Sequence, residues 1–293
     1  MSEPRILAID SQQLDAIQKC PFYTYLSFVK NWRNNEGAMP LERGDLGHFL
    51  LENYYNLIKK EVPFNEAVEY CIAQGREHYQ DYHVTDLVTL EWTIKTFVQY
   101  TDHYRNDGMF IHSVEQPFSI VIYESEELII LYQGKIDLEA TLPLVGKVPI
   151  DHKWRAMKAD YTPLDNQFIG YAVHTGADFV YVNEVGMQKS YEPAKKFRRL
   201  PLVIGEGVKE RWIKNTIQWG KILDHCLQND SWPQSHLKVA PMGISQCGKC
   251  SFQSICNSEN NEVMKMKIEN EFHLKTQWDV GKVLETQDDE AST

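Results

Sequence analysis

The feature that most constrains the fold is a change of hydrophobic pattern near residue 108. Before that point, apolar residues recur at helical spacing, which predicts helices over residues 45–60, 64–80 and 85–106. After it come three consecutive segments rich in Val, Ile and Tyr and bounded by turn residues: HSVEQPFSIVIY, LIILYQGKIDLEAT and GKVPIDHKW. Segments of this kind are typical of strands. The chain must therefore build a sheet in its middle third.

The second half of the chain then mixes helices and strands. TPLDNQFIGYAVHTG and EGVKERWIKNTIQWGKILDHCLQ are predicted helices, ADFVYVNEV a fourth strand and RLPLVIG a candidate fifth. This order predicts an α/β fold, with a small mixed sheet flanked by helices. We divide the chain into a helical N-terminal region (1–108), a core (109–230), a cysteine-rich segment (231–275) and a polar, acidic tail (276–293) that is expected to be disordered.

Bulk composition excludes several classes of protein. The hydrophobic fraction of 43% supports a substantial core, and the net charge of -11 argues against a broadly cationic nucleic-acid coat protein. A local basic groove remains compatible with that charge. The sequence has neither an apolar run long enough for a transmembrane helix nor the pattern of a signal peptide at MSEPRILAID. We therefore expect a cytoplasmic protein with reduced thiols and no membrane partner.

Two acids and a lysine lie on neighbouring predicted strands. Asp151 and Lys153 are two residues apart, so they point to the same face of a strand. The short turn before that strand makes an antiparallel pair with GKIDLE, which can bring Asp137 across from them. Two close carboxylates repel each other unless a cation lies between them, and oxygen ligands suit Mg²⁺ or Mn²⁺. The group has the chemistry required for metal-dependent phosphodiester hydrolysis.

Each of these residues also has a simpler interpretation. Asp-x-Lys on a strand is commonly a surface salt bridge, although apolar Val148 and Ile150 place Asp151 at the edge of a core. His48, in GDLGH on an early helix, is a further candidate ligand, but a lone helical histidine is more often a packed residue. Glu115, in HSVEQPF, is either a site residue or a solvated strand residue.

In this order and spacing, GDLGH, VEQPF, GKIDLE, PIDHKW and QFIGY resemble the motifs of the PD-(D/E)XK nuclease superfamily. More narrowly, they resemble its RecB-like iron–sulfur branch, which includes CRISPR-associated exonucleases and the nuclease domain of AddB. The resemblance implies a restriction-endonuclease-like core over residues 109–230. It also implies metal ligation by His48, Asp137, Asp151 and the backbone carbonyl of His152, a catalytic Lys153, and a supporting helix bearing Gln167 and Tyr171. Glu115 matches a more variable acid of the family.

Four of the six cysteines have spacing suited to a four-thiolate site. Cys247, Cys250 and Cys256 follow a C-x₂-C-x₅-C pattern, and Cys20 stands far upstream. Spacing alone fits a zinc ion, a [4Fe–4S] cluster or unligated thiols. The resemblance favours [4Fe–4S], because iron–sulfur members of the branch have one cysteine before the nuclease motifs and three after them. Such a cluster would tie the two ends of the chain together.

Basic residues are concentrated in two stretches, KWRAMK and MQKSYEPAKKFRRL. Cations neutralise phosphates and aromatic residues stack on bases, so these stretches are either DNA contacts or ordinary solvated loops. The candidate DNA-binding residues are Arg155, Lys158, Lys195, Lys196, Arg198 and Arg199.

The leading hypothesis is a Mg²⁺- or Mn²⁺-dependent DNA exonuclease that acts at DNA ends, with single-stranded DNA as the expected substrate. A second hypothesis is a DNA-end-binding subunit with little activity of its own, which would work with an integrase, a helicase or a recombination partner, as in CRISPR spacer acquisition. A third is a zinc-stapled structural protein in which the acid–lysine pair is only a salt bridge.

Overall fold

The computed structural model describes residues 3–35, 39–81, 87–188, 193–235 and 246–274. Its strands are β1 (Arg5–Ile9), β2 (Trp32–Asn34), β3 (Phe110–Glu124), β4 (Leu128–Leu142), β5 (Gly146–Arg155), β6 (Phe179–Gly186), β7 (Phe197–Val203) and β8 (Phe272–Leu274). Its α-helices are α1 (Ser11–Lys19), α2 (Pro21–Thr24), α3 (Met39–Lys59), α4 (Phe64–Asp81), α5 (Leu87–His103), α6 (Asn166–Thr175), α7 (Pro193–Lys196), α8 (Glu206–Asn229), α9 (Gln253–Cys256) and α10 (Asn261–Glu271). The tail predicted to be disordered, 276–293, lies outside the described residues.

The described residues cluster into two compact units that are both discontinuous in sequence. Unit 1 takes its residues from 1–37, 119–133 and 211–293, and unit 2 from 38–118 and 134–210. β3, β4 and α8 each contribute residues to both units. None of the described helices is long and apolar enough to cross a membrane.

Unit 2 contains a mixed sheet. β4 pairs with β5 in the antiparallel sense, β5 with β6 in parallel, and β6 with β7 in the antiparallel sense, while β3 also pairs with β4. The parallel β5–β6 pair is joined through α6, because parallel strands need a crossover connection. The α/β class predicted from the sequence, a mixed sheet flanked by helices, is confirmed.

The core of unit 2 lies between its sheet and the helices α3, α4 and α5. Leu46, Leu50 and Leu51 of α3 are buried together with Leu138 and Ile150 of the sheet. Gly47 permits a close approach between α3 and β5, since a Cβ at this position would lie 2.3 Å from two ring carbons of Trp154. This contact sets the position of His48, the next residue of the helix.

Unit 1 joins both ends of the chain. β1 runs parallel to the first part of β4, with Arg5 opposite Leu128, and β2 pairs with β8 in the antiparallel sense. A small hydrophobic cluster of Leu26, Phe252, Ile255 and Phe272 is buried in the same unit. The sequence analysis did not predict β1, β2 or β8.

Candidate metal centre

The antiparallel β4–β5 pair carries two acids of the candidate site. The register aligns Leu138 with Ile150. Asp137 precedes Leu138 and Asp151 follows Ile150, so the same antiparallel register brings the two acids opposite each other. The His152 backbone N–H donates to Asp137 Oδ2 at 2.7 Å. The Asp151 side chain is only 1% exposed, and its two oxygens lie 3.1 and 2.9 Å from Lys153 Nζ. Asp151 and Lys153 therefore share one face of β5.

His48 and Glu115 converge on Asp137 from two other elements. His48 Nδ1, on α3, lies 3.5 Å from Asp137 Oδ2 and 3.9 Å from Glu115 Oε1. One ligand atom from each of these three residues lies within 4.8 Å of the others, a spacing that could hold a metal ion. Burial lowers the pKa of His48 despite the nearby charge of Glu115. A lowered pKa favours the neutral imidazole, the form that binds metals.

Glu115 reaches the site through an unusual backbone conformation. Its φ of 50° lies in the left-handed region, which residues other than glycine seldom adopt within a strand. Backbone strain of this kind costs energy and is found preferentially at functional sites. The carboxylate of Glu115 also forms an ion pair with Lys135 of β4, a residue that the sequence analysis did not select.

Burial raises the pKa of three acids of the candidate site, Glu115, Asp137 and Asp151. It raises the pKa of Glu115 to about 7, with a further contribution from the charge of Asp137. It also raises the pKa of Asp137 and of Asp151 to about 6 each, although lysine charges oppose the shift. The buried negative charge therefore costs energy unless a cation neutralises it, and a bound divalent cation would favour the charged form of all three acids.

These shifts predict that the metal-free protein loses stability as the pH rises from about 4 to about 7. Over this window the folded state binds more protons than the unfolded state, because the folded pKa values of about 6 to 7 lie above the ordinary 3.8 to 4.5. Thermal unfolding in a chelator should show a lower midpoint at neutral pH than at pH 5. Excess Mn²⁺ should raise the midpoint most at neutral pH, and a metal effect that is equal at both pH values would contradict the prediction.

A chain of hydrogen bonds fixes the lysine. Lys153 Nζ donates to Gln167 Oε1 at 3.0 Å, Gln167 Nε2 donates to Tyr171 Oη at 2.8 Å, and Tyr171 Oη donates to the Lys135 carbonyl at 2.6 Å. Burial alone would lower the pKa of Lys153, but the hydrogen bond to Asp151 and the charges of Asp151, Asp137 and Asp165 together outweigh it and raise the pKa. Asp165 caps α6 by accepting the Gln167 N–H at 2.9 Å, which orients this helix. Lys153 is thus a charged group held in one position.

The His152 ring belongs to a buried network rather than to the group of acids. It stacks on Tyr55 with a ring separation of 5.5 Å and an interplanar angle of 4°. Its Nδ1 lies 2.9 Å from Asn183 Nδ2, and Asn183 donates to Tyr100, whose hydroxyl lies 2.5 Å from that of Tyr55. Burial holds the pKa of His152 well below its usual value, so the ring is neutral. Sequence reasoning had not found this network.

All four cysteines of the predicted cluster lie in unit 1 as free thiols. The Ser235 N–H donates to Cys20 Sγ at 3.4 Å, and Cys247 Sγ donates to the Ser235 carbonyl at 3.6 Å. Partial burial, with smaller contributions from the charges of Cys250, Cys20 and Cys247, raises the pKa of Cys256 to about 11. The N-terminal cysteine therefore lies in the same unit as the C-terminal three, but among the described residues no three of their sulfur atoms lie within 4.8 Å of one another.

Three of the six basic residues assigned to DNA already have protein partners. Lys196 Nζ donates to Gln99 at 2.8 Å, Arg198 pairs with Glu184, and Arg199 lies 2.7 Å from Asp107. A DNA contact by any of these three would require it to leave its partner. The side chains of the other three are exposed but also have contacts within the protein, and their DNA contacts stay a prediction: Arg155, Lys158 and Lys195.

Comparison with known proteins identifies no family. No protein family and no curated protein matches the sequence. Among solved structures, the chain is similar to SSO0001 (10% identity, 87% of each chain covered, TM-score 0.40). It is also similar to a protein named "Putative exonuclease" from Eubacterium rectale (10% identity, 94% of this chain and 92% of that chain covered, TM-score 0.44). Similarities at this level do not establish a shared function.

The close contact at Gly47 gives a test of how α3 positions His48. We expect Gly47→Ala to lower the free energy of unfolding by about 1–3 kcal/mol, because the added methyl group collides with Trp154. It should also weaken Mn²⁺ binding by displacing His48. Gly44→Ala, on the same helix, is the matched control, since a Cβ there meets no atom within 4 Å. Denaturant unfolding and Mn²⁺ titration measure the two effects, and equal behaviour of both variants would contradict this role of Gly47.

Proposed function

We propose that this protein is a metal-dependent DNA exonuclease of the RecB-like PD-(D/E)XK type, which hydrolyses phosphodiesters at DNA ends with Mg²⁺ or Mn²⁺. One observation carries the proposal: a potential metal-binding group of His48, Glu115 and Asp137 lies beside a lysine held by Asp151. Oxygen ligands with a single imidazole suit Mn²⁺ or Mg²⁺. This combination of a hard-cation site and a fixed ammonium group has the chemistry that phosphodiester hydrolysis needs.

Each residue has a defined part in the proposed reaction. Asp137, Asp151, His48 and Glu115 would hold the metal, together with the backbone carbonyl of His152. The bound ion would polarise a phosphoryl oxygen and lower the pKa of a coordinated water. Lys153, fixed by Gln167, would orient the attacking water or stabilise the negative charge that develops on the phosphate. The hydrogen bonds from Gln167 to Tyr171 and from Tyr171 to the Lys135 carbonyl keep the ammonium group of Lys153 in position.

The proposal is tested with free-ended and end-blocked DNA of the same sequence, each with and without Mn²⁺. An exonuclease degrades free-ended DNA only when metal is present and leaves covalently closed DNA intact. Equal cleavage of both substrates would indicate an endonuclease. Metal-dependent end binding without cleavage would favour the second hypothesis, a DNA-end-binding subunit that works with an integrase, a helicase or a recombination partner.

We also infer that Cys20, Cys247, Cys250 and Cys256 hold a [4Fe–4S] cluster with a structural role. The inference is supported by the contacts of Cys20 and Cys247 with Ser235 and by the location of all four cysteines in unit 1. Four thiolates suit iron–sulfur clusters as well as zinc.

We expect protein purified without oxygen to show the broad visible absorption of an iron–sulfur cluster, and Cys250→Ser to abolish it. The same substitution should lower the thermal midpoint, because cluster binding contributes to folding. Cys226→Ala is the control, since this buried thiol lies on α8 outside the group of four. A colourless protein with one equivalent of zinc would contradict the cluster but not the nuclease.

A further inference from the structure

The loop of residues 156–165 connects the two sides of the candidate site. It follows β5, which carries Lys153, and precedes α6, which carries Gln167. The 3.0 Å hydrogen bond between Lys153 Nζ and Gln167 Oε1 closes the base of the loop. Any group that this loop presents to solvent therefore lies within a few residues of Lys153, the proposed catalytic lysine, or of Gln167, its hydrogen-bond partner.

Buried Glu184 of β6 anchors the middle of the loop. The Ala159 N–H donates to Glu184 Oε1 at 2.9 Å, and the Tyr161 hydroxyl donates to the same oxygen at 3.3 Å. Arg198 pairs with Glu184 and donates to the Ala159 carbonyl at 2.6 Å. Since Glu184 is almost fully buried, these contacts hold the loop to the sheet from its inner side.

The outer side of the loop presents two large apolar side chains to water. Leu164 lies in a turn closed by the hydrogen bond from the Asp165 N–H to the Thr162 carbonyl at 3.3 Å, and Pro163 precedes it. Proline at the second position of a turn restricts the backbone and thereby fixes the direction of the next side chain. Leu164 is 67% exposed and Met157 is 73% exposed. The anchored backbone limits how far either side chain can withdraw from solvent.

Cations accompany these apolar groups. Arg155 and Lys158 are exposed on either side of Met157. Apolar side chains of DNA-binding proteins insert between base steps and unstack them, while Lys and Arg bind the phosphates. A loop that exposes two apolar side chains together with Arg155 and Lys158 thus offers the two kinds of group that the end of a duplex presents partners for, a flat base face and phosphates.

We propose that Met157 and Leu164 form a wedge that unstacks the terminal base pair of duplex DNA and directs the frayed strand to the metal centre. This inference rests on the proposed function and extends its substrate from single-stranded ends to duplex ends. According to this inference, the protein itself opens the first base pairs of the duplex and needs no helicase to do so.

Cleavage rates on three DNAs test the wedge: a single strand, a blunt duplex and a duplex with mismatched terminal pairs. In the Met157→Ser/Leu164→Ser variant, the ratio of blunt-duplex to single-strand cleavage should fall about tenfold or more, because unstacking is no longer assisted. The mismatched ends should restore most of that ratio. Leu144→Ser is the matched control, since Leu144 is fully exposed but lies before β5, at the end of that strand away from Lys153.

A binding measurement separates failure of the wedge from failure of the proposed function. Fluorescence of 2-aminopurine in the terminal pair rises when that base unstacks, and it needs no cleavage. Binding of the parent protein to a blunt duplex with Ca²⁺ should raise the signal, and binding of the double variant should not. An unchanged cleavage ratio, or equal fluorescence with both proteins, overturns the wedge. Fluorescence that depends on the wedge without cleavage of any DNA overturns the nuclease and keeps the wedge.

Discussion

Replacing Lys153 with methionine should lower the rate of DNA cleavage by about 10²–10³-fold, the usual cost of removing one preorganised electrostatic group from an active site. Methionine keeps much of the aliphatic chain but removes the charge that lies 2.9 Å from Asp151 and the donor to Gln167. The loss should appear in single-turnover cleavage of labelled single-stranded DNA at saturating Mn²⁺. Under those conditions the measured step is close to the chemistry.

Lys147→Met is the matched control for this substitution. Lys147 lies on the same strand, β5, and pairs with Glu139 at 2.9 Å, but its side chain is 55% exposed. Exposed ion pairs contribute little to stability, so this variant should fold and cleave as the parent does. If Lys153→Met binds Mn²⁺ and cleaves DNA at the parental rate, Lys153 has no catalytic role.

Asp137→Asn should have two effects of opposite sign. Mn²⁺ binding should weaken by more than about 100-fold, since loss of even an outer-shell partner of a metal ligand costs 10- to 100-fold. Without metal, the same variant should be more stable than the parent above pH 7, because it lacks a buried carboxylate whose pKa is raised to about 6. Calorimetric Mn²⁺ titration and thermal unfolding in a chelator measure the two effects.

The Mn²⁺ titration distinguishes a metal ligand from a residue that only supports the fold. Substitution of a purely structural Asp137 would leave Mn²⁺ affinity unchanged, whereas the gain in stability without metal follows in either case from removing a buried carboxylate. Asp45→Asn is the control, since Asp45 is an exposed acid that contacts His78 at 3.4 Å. It should leave both Mn²⁺ affinity and the pH dependence of stability unchanged.

The sequence predicted those parts of the molecule that depend on local pattern. β5 was found because apolar residues and a short turn define it, and the same turn sets the antiparallel register that brings Asp137 near Asp151. Gln167 and Tyr171 were selected only because QFIGY resembles a nuclease motif, and their spacing of four residues is consistent with the single helix face on which they lie. In each case the information lies within a few dozen residues.

The same reasoning could not predict contacts between residues that lie far apart in the sequence. β1 is a five-residue strand that pairs with residues more than 120 positions later, and its sequence does not specify that partner. Glu115 has a left-handed backbone and pairs with Lys135, and a strand pattern predicts neither feature. Basic residues can be counted in a sequence, but only the structure shows that Arg198 and Arg199 lie beside Glu184 and Asp107.

The discontinuous make-up of the two units sets an order for biosynthesis. Every residue of unit 2 has been synthesised once the ribosome has passed residue 210, whereas unit 1 also needs the later segment that carries Cys247. Cys20 emerges early and contacts Ser235, 215 residues downstream. Domains generally fold as units during synthesis. Unit 2 can therefore fold before unit 1 is complete, and Cys20 meets the C-terminal part of unit 1 only after all of unit 2 has been synthesised.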